Sequence, residues 1–307
     1  MESFIKEYLS SRIVIETSLR AILNRALKYE RRFNKPFYEF TKDEALTMFK
    51  EAGSISATSL LNTCLVLKHA TNFLLFTKGI NAANIYETIT KDDLRLVVNT
   101  DKKSKMIITR EQLIEIQDQL VNYTDRAILE LLFRGIGATD WAHELTFLDQ
   151  SQISRNDMCI YFKNGKMIEI DEYCYNLLIE AAKEDEMLSY STSRVSKVVC
   201  QGVIYKVRCN AITNNDDVND QKSKERRFRW LQRRIQIIND FLDLKITPSS
   251  IVDSGLLHEI RRGMALNDLP FRQYVATSEA RELGQKFGIF SKFYNVILVE
   301  KFKEFFE

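Results

Sequence analysis

The sequence predicts a mainly α protein with small β-ribbons, on three observations. Only 3 prolines and 10 glycines interrupt 307 residues rich in Leu, Ile, Lys and Glu, so few positions oblige a helix to stop. Apolar residues recur at helical spacing through most of the chain. One Asn-Gly pair, Asn164-Gly165, sits between the alternating runs MCIYF and MIEID, which is a strong two-residue hairpin signal. With 45% hydrophobic residues the chain is long enough to bury one large core or two ordinary ones.

The front of the chain, from Met1 to about Thr100, reads as four amphipathic helices with short links: SFIKEYL, SLRAILNRALKYERRF, TKDEALTMFKEAG and SATSLLNTCLVLKHATNFLLFTKG. Thr41 followed by Glu44 is a capping-box signature, and Gly53 stands where that helix should end. Arg20, Arg25, Lys28, Arg31 and Arg32 give the second of these helices a basic patch. The polar stretch NTDKKSKMIITREQ follows, cationic through Lys102, Lys103 and Lys105, and opens a new helix at Thr109. The domain boundary is placed there: residues 1–100, a basic linker 101–108, and a second domain 109–307.

The second part begins with the helices ITREQLIEIQDQLV and DRAILELLFRGIG, the latter ending on Gly135 and Gly137. The ribbon around Asn164-Gly165 comes next, then a helix over DEYCYNLLIEAAKEDEML, then a strand pair expected between SKVVC and VIYKVRCN. The Asn- and Asp-rich NAITNNDDVND is expected to be a mobile loop. It leads into QKSKERRFRWLQRRIQIINDFLDL, whose first half carries Lys222, Lys224, Arg226, Arg227, Arg229, Arg233 and Arg234 against Glu225 alone. A basic run is often just a solvated helix face. Here the arginine density and the interleaved Phe228 and Trp230 favour contact with a nucleic-acid backbone.

Composition excludes several function classes. Lys and Arg total 44 against 42 Asp and Glu, a net +2 that is unevenly distributed along the chain. MESFIKEYLSS lacks the apolar core of a signal peptide, and no apolar run approaches the ~18 residues of a membrane span, so a soluble cytoplasmic protein with no membrane partner is expected. The cysteines Cys64, Cys159, Cys174, Cys200 and Cys209 are scattered and never spaced as CxxC, and His69, His143 and His258 are isolated. Reduced thiols, no metal and no cofactor are therefore expected.

Local strings, taken in serial order, resemble the tyrosine recombinases and phage integrases. FRGIGATDWAHELTFLDQSQI is similar to the TGLRxxELxxLxWxDI stretch of that family, with one extra residue before Leu145-Thr146. YFKNGKMIEID is similar to the ribbon bearing its lysine, KITPSSIVDSG to its HxLRHS segment, and LGQKFGIFSKFY to its LGH followed nine residues later by the nucleophilic tyrosine. The resemblance implies a two-domain architecture: a helical DNA-binding front domain and an integrase catalytic-like rear domain. Carried over residue by residue, it also implies that the catalytic set is broken. The first arginine position falls on Gly137, the HxxR pair on Ser249 and Val252, and the LGH histidine on Gln285. A ribbon lysine, Lys163 or Lys166, and Tyr294 survive.

Phosphoryl transfer to tyrosine needs preorganised cationic donors for the charge that develops on phosphate. Neither glycine nor valine supplies one, and losing one such donor typically costs ~10²–10³ in rate. No enzyme activity is therefore expected. Arg134, or Arg261 and Arg262, are the nearest substitutes in sequence. These three, with the ribbon lysines, the linker lysines and the 222–234 run, form the expected DNA-contact set. Tyr294 reads as a packing residue in a helix whose apolar face runs Phe290, Phe293, Ile297, Leu298, Phe302 and Phe305, a stripe that serves either the internal core or a neighbouring subunit.

The expected function is that of a sequence-specific duplex-DNA binder, which the resemblance extends to a recombinase-fold lysogeny repressor of a temperate phage or prophage, at the bacterial nucleoid. One alternative is an active or accessory recombinase with rearranged catalytic residues. Another is an assembly factor that binds a true recombinase through its C-terminal helix.

Overall fold

The computed structural model describes residues 16–54, 57–98, 106–138, 143–162, 165–198, 202–204 and 221–306. The chain divides into two units, Met1–Ser104 and Lys105–Glu307. The first described stretch, MESFIKEYL being outside it, is α1 (Glu16–Phe33), followed by α2 (Lys42–Glu51), α3 (Ala57–Lys78) and α4 (Lys91–Leu96).

Local chemistry sets the helix starts. Thr41 accepts from the Glu44 amide while the Glu44 carboxylate accepts from the Thr41 amide, the reciprocal cap expected from the sequence. Thr90 with Asp93 repeats it at α4. Gly53 takes φ +63° just beyond α2, a left-handed turn that glycine adopts without a Cβ penalty. The core of this unit gathers Leu23, Phe37, Met48, Phe49, Leu67, Leu74 and Tyr86, and the one polar atom of Tyr86 is satisfied by donation to the Phe37 carbonyl at 3.1 Å.

The second unit is built around α6 (Tyr123–Phe133), which follows α5 (Arg110–Gln119). Every residue of α6 from Ala127 to Phe133 is buried, since AILELLF is apolar apart from Glu130, whose carboxylate is paired with Arg110 and Arg134. The helices α8 (Glu172–Lys183) and α10 (Pro248–Asn267) pack against it. Contact with α10 is close enough that a Cβ added at Gly255 would lie 1.6 Å from the Phe133 carbonyl oxygen. Between them run the short α7 (His143–Thr146) and the ribbon β1 (Ile153–Ser154), β2 (Cys159–Tyr161) and β3 (Met167–Glu169). This sheet is antiparallel in the order β1-β2-β3, with Ile160 opposite Ile168 facing the core and Tyr161 opposite Met167 facing out. Gly165 closes the hairpin at φ +81°, donating to the Phe162 carbonyl at 2.9 Å.

The second strand pair differs from expectation. It joins β4 (Glu186–Leu188) to β5 (Val195–Lys197), so the EML segment read as helix is a strand, and Ser196 and Lys197 of SKVVC pair with it. A non-local contact explains the switch. Glu184 leaves the helix to accept from the amides of Tyr123 and Thr124 at 2.8 and 2.9 Å, capping α6. Asn122 then holds the Leu188 amide and carbonyl at 2.7 and 3.1 Å. Of VIYKVRCN, Val203 forms an isolated bridge with Asp149 and the part from Tyr205 on lies outside the described residues, as does NAITNNDDVND.

The chain continues through α9 (Gln221–Leu242), α11 (Phe271–Tyr274), α12 (Ser278–Lys286) and α13 (Tyr294–Phe302). The last helix docks on its own unit. Leu298 and Phe302 are fully buried, Phe306 stacks on Phe271 at 4.3 Å, and Lys301 pairs with Asp253 at 2.5 Å. Phe290 and Phe293, just before this helix, are 72% and 59% exposed, and Val296 and Ile297 on its first turn are exposed as well. Among the described residues no helix is long and apolar enough to cross a membrane, and no cluster of three His, Cys, Asp or Glu could hold a metal ion.

Candidate nucleic-acid interface

The basic helix α9 is amphipathic in an unusual sense, because its cations point two ways. At 100° per residue, Lys222, Arg226, Arg229 and Arg233 fall within about 60° of one another. Lys222, Arg229 and Arg233 are exposed and Arg226 is half-buried at their edge. Glu225 approaches the stripe, lying 3.8 Å from Arg229. The opposite side buries Leu231, Ile235 and Ile238 against the core of the unit.

Arg227 and Arg234 sit on that inner side, which corrects their expected role as phosphate contacts. Arg227 is buried, donates to the Thr146 carbonyl at 2.8 Å and lies 3.8 Å from the centroid of the Phe147 ring, tying α9 to the end of α7. Arg234 donates through two nitrogens to the carboxylate of the fully buried Asp125. Asp125 also accepts from Asn122 at 2.9 Å and from the Tyr190 hydroxyl at 2.7 Å. These cations satisfy a buried acceptor and a buried charge, roles they cannot leave for solvent without stranding a partner. Lys224 is half-buried off the stripe.

Arg134 is likewise committed inward. It ends α6 and bridges the buried Glu130 at 2.7 Å and Asp171 at 2.5 Å, while Arg110 takes the other Glu130 oxygen at 2.5 Å. Burial opposes the Arg134 charge, but the carboxylates of Glu130 and Asp171 overcome it and hold its pKa above the ordinary arginine value. Burial also acts on Asp171, where the Cys174 amide and Arg134 outweigh it and keep the carboxyl below the usual range. The guanidinium of Arg134, expected as a phosphate contact, is thus engaged by two carboxylates of its own unit. Arg261 and Arg262 are exposed near the end of α10, the first over the Phe306 ring at 5.7 Å and the second 3.2 Å from Glu259.

The remnant positions are distributed over the turns and helices that flank α6. Gly137 takes φ +96°, in a turn where an L side chain is strained. Ser249 is exposed at the start of α10, whereas Val252 is buried in the core one turn later. Gln285 is exposed on α12. Tyr294 is half-buried, and its hydroxyl donates to the Thr277 carbonyl at 3.0 Å and to that of Ala276 at 3.3 Å. Lys166 pairs with Glu144 at 2.7 Å and lies 5.6 Å from the Phe162 ring. Lys163, Lys102, Lys103 and Lys105 lie outside the described residues.

One cation in this region escaped sequence reasoning. Lys286 follows Gln285 at the end of α12, where the neighbouring Phe287 packs so tightly on Gly135 that a Cβ there would come within 2.9 Å of the ring. Burial lowers the Lys286 pKa, opposed by Glu259 and Glu169 and reinforced by Arg134 and Arg262. Its ammonium has no hydrogen bond or ion pair among the described residues. The only sequence signal was adjacency to Gln285, since nothing local reveals that α12 ends against the Gly135 turn.

The family model of the MrpR C-terminal catalytic domain matches residues 107–304. The SPbeta prophage-derived protein YopR of Bacillus subtilis (strain 168) is 25% identical over 253 residues, covering 78% of this chain and 74% of that protein. Among solved structures, the chain is similar to lambda integrase (75–356) in a dimer bound to a COC' core site, at 14% identity and a TM-score of 0.44, covering 97% of this chain and 94% of that one. A second lambda integrase dimer on a COC' core site gives 14% identity, a TM-score of 0.43, and 97% and 76% coverage.

Proposed function

This chain belongs to the family of the MrpR C-terminal catalytic domain, and from that premise we propose that it binds duplex DNA sequence-specifically and represses transcription in a temperate phage or prophage, without cutting the strands. The observation that carries the binding is the α9 stripe of Lys222, Arg226, Arg229 and Arg233, a set of side chains on one face spaced to meet successive phosphates. Phosphate contacts of this kind set register and release counterions, and base-edge contacts then choose the site. Arg261 and Arg262 supply two further exposed cations in the same unit. The SPbeta prophage origin of the relative YopR supports the phage context.

Absence of cleavage follows from the remnant positions. By the resemblance, the two phosphate-clamping arginine positions fall on Gly137, a glycine at φ +96°, and on the buried Val252, and the Tyr294 hydroxyl already donates to backbone carbonyls. Without cationic donors the transition-state charge on the non-bridging oxygens goes unmet. The exposed apolar residues Phe290 and Phe293, before α13, and Val296 and Ile297, on it, are the surface on which two copies would associate at an operator. Repression then results from occupying promoter DNA.

The test incubates the protein with fragmented DNA of its own genome at near-physiological salt, recovers the bound fragments, and resolves them under denaturing conditions. Discrete sites with intact strands and no attached protein are expected. A covalent adduct that vanishes in Tyr294→Phe overturns the non-cleaving reading, and recovery of random fragments overturns the repressor.

A further inference from the structure

The β4–β5 hairpin ends in the turn SYSTSR, Ser189 to Arg194. It is closed by the Ser189 amide donating to the Arg194 carbonyl at 2.9 Å and by the Ser193 amide donating to the Ser189 carbonyl at 2.8 Å. Ser191, Thr192, Ser193 and Arg194 are all exposed, so the tip presents three hydroxyls and a guanidinium with no apolar side chain among them. The Arg194 guanidinium makes no hydrogen bond or ion pair among the described residues.

A tip of this composition needs no anchor for its own sake, yet it has a strong one. Tyr190 turns inward, donates to Asp125 at 2.7 Å and stacks on Phe241 of α9 with centroids 4.5 Å apart, and the Arg234 guanidinium lies 5.6 Å from its ring centroid. The same carboxylate that holds α9 through Arg234 therefore holds the hairpin through Tyr190. Phe241 lies about 80° around α9 from Arg233 and about 12 Å further along its axis. This places the base of the hairpin against the last turns of α9, on the flank of the cationic stripe.

We propose that the Ser189–Arg194 turn is a second phosphate-contact point on the same duplex, beside the α9 stripe to which it is fastened. Hydroxyls and guanidinium groups are donors that protein surfaces use on phosphate and sugar oxygens. Fastening both elements to Asp125 fixes their spacing before DNA arrives, which spares the ordering cost of a free loop. The inference rests on the DNA-binding reading of α9.

The experiment is a salt titration of duplex binding by the full-length chain, with Arg194→Ala, Thr192→Asp and Arg229→Ala compared with the wild type, each first matched for thermal midpoint. Arg194→Ala is expected to make the slope of log K against log salt shallower by about 0.9, the value of one lost phosphate contact. Thr192→Asp should weaken binding further than Arg194→Ala does, because it sets a carboxylate against phosphate. An unchanged slope in Arg194→Ala beside a shallower one in Arg229→Ala removes the turn from the interface and leaves the α9 reading standing. Unchanged slopes in both overturn the turn and the α9 reading together.

Discussion

Asp125 and Arg234 lie 109 positions apart and form a buried pair in which two guanidinium nitrogens donate to one carboxylate. Arg233 and Arg234, neighbours in sequence, consequently differ in surroundings: Arg233 is exposed and Arg234 is held by Asp125. Arg234→Ala strands the Asp125 charge and should cost about 3–5 kcal/mol in a denaturant titration. Arg233→Ala should stay within about 0.5 kcal/mol of wild type while weakening DNA binding and its salt dependence. If both variants lose stability alike, the division of α9 into two faces is wrong.

The approach of α10 to α6 sets a second expectation. At Gly255 a methyl group would meet the Phe133 carbonyl oxygen, a backbone atom that cannot rotate away. Gly255→Ala should therefore destabilise by more than about 3 kcal/mol, at or beyond the upper end of ordinary overpacking, or yield no folded protein. A melting midpoint within a few degrees of wild type would mean that the two helices slide apart freely.

Lys286 gives a pH dependence whose sign follows from burial. Its folded pKa lies below the unfolded value, so the charged form costs stability at every pH below the folded value. That cost is relieved as pH climbs from the folded value toward the unfolded value of about 10.4. Lys286→Met should be more stable than wild type at pH 7, and the advantage should fade by about pH 10.4. Urea midpoints at the two pH values check this, and equal midpoints at pH 7 would place the ammonium in water.

Restoring the lost arginine should not restore chemistry. Gly137→Arg puts an L side chain at φ +96°, a strain of order 1–3 kcal/mol, and leaves Val252 buried in the second arginine position. Incubation with bound operator DNA is expected to give no covalent adduct. Tyr294→Phe, which forfeits the hydroxyl's bonds to the Thr277 and Ala276 carbonyls, should cost about 1 kcal/mol and leave DNA binding unchanged.

What could be read from the sequence was local. The Thr41 and Glu44 cap, the hairpin at Gly165 and the basic helix beginning at Gln221 each announce themselves within a few residues. The direction in which each arginine of that helix points depends on Asp125 and on the Thr146 carbonyl, far away in sequence. The mistaken helix over EML failed for the same reason, since Glu184 serves the amides of a helix about 60 residues upstream. Arg134 looked available because nothing nearby in sequence reveals that Glu130 and Asp171 enclose it.

The burial of α6 has a consequence for how this molecule would let go of DNA. A helix enclosed from Ala127 to Phe133 is the kind of segment whose amides exchange with deuterium only on global opening. Since α9 is moored to that helix through Asp125, loosening the cationic face from within would demand nearly the whole unfolding free energy. On the DNA-binding proposal, a competitor would act from outside by covering the stripe, and deuterium uptake in α6 should be equally slow with and without DNA.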